Sequence, residues 1–150
     1  MYLTDAAIDP APLLRDVQSP ERGGIVWFAG VVRNHHAGRP VVRLEYSAYG
    51  AMAEAECARI VAEAERRWPV GIALEHRLGT LAIGDVAVAI AVAGGHRGEA
   101  FEACRWVIEE VKRTVPIWKR ERYADGSVAW VDPTAPGGTV PAGQAHEAPR

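Results

Sequence analysis

The chain of 150 residues is 49% hydrophobic with a formal net charge of −2, which fits one domain with one core and gives no global attraction for nucleic acid or an anionic membrane. Any anion site must therefore be local. The longest apolar run, 86–93, is strand-sized and far short of the ~18 residues of a membrane span, and the N-terminus shows no basic-then-apolar leader, so a cytosolic protein is expected.

Residues 1–22 contain Pro10, Pro12 and Pro20, with a short segment at 12–17 that can form a helical turn or two. Gly23 and Gly24 then release a strand at 25–29, rich in β-branched and aromatic residues. Gly30 suggests a bulge, and the strand continues through Val31, Val32 and Arg33 into a polar loop at 34–40. Residues 41–46 read as the returning strand, with Val42, Leu44 and Tyr46 on one face.

The period then changes. Ala53, Cys57, Ile60, Ala64 and Trp68 form one helical stripe over 51–68, and Pro69 ends that helix. A strand near 72–77 and a turn region with Gly79 and Gly84 lead to a strand at 86–93, where Val86, Val88, Ile90 and Val92 alternate with alanines. Small residues on the second face predict a helix lying close against it. Residues 94–98 open a second main helix, to about Arg113, with Phe101, Cys104, Ile108 and Val111 as its stripe and Pro116 as its breaker. A strand at 117–123 turns through Asp125 and Gly126 into 128–130. Residues 133–150 have no core-forming character and are expected to be a disordered tail behind a single domain at 1–132. The pattern predicts an α+β fold, a largely antiparallel sheet packed by two main helices.

Three places can carry chemistry. Gly94, Gly95, His96, Arg97 and Gly98 sit at a strand-to-helix junction, where free backbone N–H groups and Arg97 suit a phosphate; a plain solvated loop fits the same residues. Lys112 closes a helix, where the helix dipole favours it whatever its role. Lys119 lies on an apolar-flanked strand, where a desolvated ammonium can serve as acid, base or nucleophile; with Arg120 and Glu121 it can equally be an edge-strand charge cluster. Arg33 leaves a buried-looking strand and can be aimed into a pocket. His35 and His36 point to opposite sides of an extended chain and make a poor metal pair. Cys57 and Cys104 fall on helical stripes, so they read as buried thiols, and no metal or other cofactor is expected. Phosphate-loop, dinucleotide, serine-hydrolase and zinc-protease motifs are all missing.

Together and in order, the segments 28–35, 44–49 with Met52 and Ala53, 76–81, 96–101, and Lys112 with 116–121 resemble the MoaE-type large subunit of molybdopterin synthase. The likeness covers about residues 20–131. It implies a hammerhead-like subdomain, a homodimer within a heterotetramer, and a small ubiquitin-like sulfur carrier (MoaD type) whose C-terminal Gly-Gly thiocarboxylate enters a pocket. The implied reaction is sulfur transfer to cyclic pyranopterin monophosphate, giving the dithiolene of molybdopterin. Carried over residue by residue, Arg33, His96 and Arg97 would bind the pterin phosphate, Lys119 and Lys112 would be catalytic, and Arg120 and Glu121 would line the site. Val31 stands where many relatives carry a basic residue. The alternative is a non-catalytic dimeric module that binds a phosphorylated metabolite or a partner tail.

Overall fold

The computed structural model describes residues 1–131; the expected tail at 133–150 lies outside them. β1 (Leu3–Thr4), β5 (Val70–Arg77), β7 (Val86–Gly94) and β2 (Gly24–Val31) lie side by side in that order, with only the β1–β5 pair parallel. A second, antiparallel sheet runs β3 (His35–His36), β4 (Arg39–Ala48), β8 (Ile117–Tyr123) and β9 (Val128–Val131), and β6 (Gly79–Ala82) also pairs with β4. Three helices complete the described residues: α1 (Pro10–Val17), α2 (Gly50–Arg67) and α3 (Arg97–Thr114). The expected α+β class and two main helices hold, but the antiparallel strands divide between two sheets.

β7 is the centre of the first sheet. Its alternation puts Val88, Ile90 and Val92 into the main core with α2 and α3, and Ala89, Ala91 and Ala93 into a smaller cluster with Leu13 and Val17 of α1. The helix expected against the alanine face is therefore α1. Asp9 caps it by accepting from the Ala11 N–H, and Pro10 fits the first helical position, where its missing donor costs nothing. α2 stops because Trp68 precedes Pro69 and must be extended, and α3 stops in the same way at Val115 before Pro116.

Four sequence expectations need correction. Residues 25–33 and 41–46 do not form a hairpin: β2 pairs with β7, and β4 belongs to the other sheet. In β4 a register shift between Val41 and Arg43 adds a residue, so Val41 (4% exposed) shares the inward face with Leu44 and Tyr46 while Val42 (45%) faces out. The glycine-flanked turn region holds β6, four residues long. Phe101 is 60% exposed, because α3 turns Ala100, Ala103, Cys104, Val107 and Val111 inward. Alanines let the helix lie closer to the sheet than a Phe stripe would. The β2–β7 register does shift beside Gly30, where a bulge is expected, but the extra residue is Ala87 of β7: Gly30 faces Val88 and Val31 faces Val86.

Candidate functional site

A recess of about 160 Å³ opens where the two sheets meet the C-terminal end of α3. Apolar residues form part of its wall: Gly30, Val31 and Val32 near the end of β2, Val41 and Leu44 of β4, and Ala87 and Val88 of β7. Arg33, Lys112, Lys119 and Glu121 bring charge to it, and Tyr46 and His35 complete the lining. Arg33 thus meets three residues far from it in sequence for simple reasons. β2 ends at Val31, just past the register shift opposite Ala87, and releases Arg33; Val32 stays buried, its N–H donating to the Asp85 carbonyl. Lys112 comes from the last turn of α3, and strand alternation turns Lys119 and Glu121 to the same side of β8.

Glu121 is 2% exposed and fully engaged. Its Oε2 accepts from Tyr123 Oη at 2.8 Å and from His36 Nδ1 at 2.9 Å, while Oε1 lies 3.6 Å from Lys119 Nζ. A buried carboxylate survives only with such partners. Burial and the hydrogen bond to Glu121 push the Tyr123 hydroxyl up to about 12, and burial with the nearby Glu121 charge pushes Tyr46 up to about 12. Lys112 keeps solvent-accessible surface because it lines an open recess, yet protein atoms crowd its ammonium. That desolvation, with the like charge of Lys119 second, lowers its pKa from the ordinary lysine value. Beneath it, His76 is 4% exposed and stacks edge-on against Tyr46 with ring centroids 5.1 Å apart. Its Nδ1 donates to the Arg77 carbonyl at 2.9 Å, and burial, with Lys112 adding to it, lowers its pKa to about 4. The imidazole is neutral at physiological pH.

Of the residues singled out in the sequence, Arg33, Lys112, Lys119 and Glu121 come together. Arg120 does not join them. Alternation along β8 sends it to the opposite face, where it pairs with Glu45 and lies over Trp130 at 5.7 Å. His96 and Arg97 are exposed at the start of α3, about 22 Å from Lys112 by helix rise. Within one chain they cannot reach the same small ligand. His36, Tyr46, His76 and Tyr123 were missed. Tyr46 was visible as an inward β4 residue, but nothing local in the sequence pairs His36 with a residue 85 positions away. Among the described residues no cluster of His, Cys, Asp or Glu could hold a metal ion.

Cys57 and Cys104 are buried free thiols, and burial pushes them up to about 12 and about 11. Neither lines the recess.

The MoaE protein family model matches residues 3–114. A molybdopterin synthase catalytic subunit from Thermoplasma volcanium is 40% identical over 85% of this chain and 94% of its own length. Molybdopterin synthase from Staphylococcus aureus superposes with a TM-score of 0.82 at 36% identity, covering 86% of this chain and 94% of that one. A complex of subunits 1 and 2 of molybdopterin-converting factor from Helicobacter pylori shares the fold at 22% identity and a TM-score of 0.66, covering 83% and 85% of the two chains.

Proposed function

The chain belongs to the MoaE family, and from that premise we propose that it is the catalytic subunit of a molybdopterin synthase, a sulfurtransferase that moves sulfur from the C-terminal thiocarboxylate of a small ubiquitin-like carrier to cyclic pyranopterin monophosphate. The observation that carries this reading is the meeting of Lys112 and Lys119 in one recess with Arg33 beside them. A cation crowded by protein atoms, as Lys112 is, acts more strongly on developing negative charge than one in water, and it is oriented before the substrate arrives. We assign Lys119 to the reacting acyl carbon and to proton transfer, Lys112 to electrostatic support, Arg33 to the phosphate, and Glu121 to holding Lys119.

His96 and Arg97 enter this reading from a second copy of the chain. Their distance from Lys112 on one straight helix supports a composite site in which one protomer supplies the lysines and its partner supplies the phosphate-binding start of α3. This matches the homodimer within a heterotetramer that the resemblance implies, and we assign the hammerhead-like subdomain to the β4-centred sheet. No helix among the described residues is long and apolar enough to cross a membrane, and we place the reaction in the cytoplasm.

The test is Lys119→Ala supplied with pterin substrate and thiocarboxylated carrier. Product formation should fall roughly a hundredfold or more while the carrier still binds. Undiminished turnover would remove Lys119 from the chemistry, and carrier binding without product from the unaltered chain would favour a non-catalytic binding module.

A further inference from the structure

The β3–β4 hairpin has a second attachment to the site that the proposed chemistry does not use. Ala37 and Gly38 both take positive φ, 50° and 76°, and so close a two-residue turn between His35–His36 and Arg39–Pro40. Alternation parts the two histidines: His35, exposed and lining the recess, lies beside Asn34 Oδ1 at 2.9 Å, and His36 turns to Glu121. Arg39 fixes the same hairpin from the other arm: its guanidinium lies 3.6 Å from the centre of the Tyr123 ring and pairs with Asp125 at 3.2 Å. The hairpin therefore grips β8 at two successive inward residues, Glu121 and Tyr123.

The consequence lies in how the Glu121 carboxylate is turned. A carboxylate accepts and does not donate, so the hydrogen of the His36 contact sits on Nδ1. With Oε2 already accepting from His36 and from Tyr123, rotating the carboxylate would break both bonds, and Oε1 is left facing Lys119 across 3.6 Å. Lys119 is drawn toward that oxygen.

We propose that His36 is a positioning residue: it locks the Glu121 carboxylate so that Oε1 holds the Lys119 ammonium at its working place in the recess, without itself touching substrate. The inference rests on the reading of Lys119 as the catalytic lysine. It separates His36 from its neighbour His35, and it gives the hairpin a task besides covering the sheet edge.

The experiment compares His36→Ala, His36→Leu and His36→Asn with the unaltered chain, each loaded with thiocarboxylated carrier and pterin substrate. The Asn amide nitrogen can stand where Nδ1 stands and donate to the same oxygen; Ala and Leu cannot, and Leu keeps the bulk should Ala loosen the hairpin. His36→Ala and His36→Leu should lower kcat roughly tenfold with KM for the pterin unchanged, and His36→Asn should recover most of the loss. A second readout needs no turnover: Lys119, released from Oε1, should be acylated by trace acetic anhydride roughly threefold faster in the Ala and Leu variants and at the original rate in the Asn variant. Unchanged kcat and unchanged labelling in the Leu variant would overturn the proposal, as would a loss that Asn fails to recover. If the unaltered chain makes no product but the labelling pattern holds, the sulfur-transfer reading fails and the His36–Glu121–Lys119 linkage stands.

Discussion

Gly30 lies so close to Val88 that a Cβ added to it would sit 2.7 Å from Val88 Cγ1. Both residues line the recess, and Gly30 is also where β2 leaves its register with β7. Overpacking at this point has to move a wall of the site. Gly30→Ala should cost about 1–3 kcal/mol in denaturant melts and lower turnover as well. In a Val88→Ala background the methyl finds room, so the added cost should shrink by about 1 kcal/mol. Additive costs would mean that the strand relaxes freely there.

The proposed composite site predicts complementation. Lys119→Ala and Arg97→Ala chains should each be inactive alone, the first for want of its own lysine and the second for want of its partner's arginine. Mixed, dissociated and reassociated, half of the dimers carry both changes, and one of the two sites in each is intact. Turnover should return to about a quarter of that of the unaltered chain. A mixture as inactive as its components would mean that Lys119 and Arg97 are needed in the same protomer, and the composite site would fall.

His76 makes stability depend on pH in a defined window. Its folded pKa, about 4, lies below the ordinary 6.5. Between those values the unfolded chain takes up a proton that the folded chain refuses. Stability from this residue is therefore full above pH 6.5 and is lost as pH falls toward 4, by up to about 3 kcal/mol. The difference in unfolding free energy between the unaltered chain and His76→Asn should vary with pH inside that window and be flat above it. A difference that stays constant from pH 7 to pH 4.5 would contradict the assignment.

The thiols should be bystanders. With burial pushing Cys57 and Cys104 up to about 12 and about 11, iodoacetamide at pH 8 should label neither until the chain is unfolded. Cys57→Ala and Cys104→Ala should keep their turnover despite a stability cost of about 1–2 kcal/mol each. Loss of product in either variant at full folding would point to a sulfur relay on this chain.

What could be read from the sequence follows a physical divide. α2 and the strand at 86–93 were legible because their signals are local: a helical stripe ended by Pro69, and valines alternating with alanines. Simple alternation turns Val42 inward on β4, but a bulge reverses it there, and no residue type marks this one. Phe101 was placed inward on hydrophobicity alone, but Ala100 and Ala103 permit the closer contact with the sheet and win. The lysines and Arg33 were found as separate cations, and only the fold brings them into one recess. Arg120 shows the opposite error. Adjacent to Lys119 and Glu121 in sequence, it lies on the other side of β8, since neighbours in a strand face away from each other.

α3 has a consequence for how this chain can change. One end carries His96 and Arg97 and the other carries Lys112, with 97–114 continuously helical between them. A single residue inserted in that stretch would twist one end against the other by about 100° and lengthen the helix by about 1.5 Å. The helix therefore acts as a ruler and a protractor at once, and length variation has to be absorbed in surface turns elsewhere.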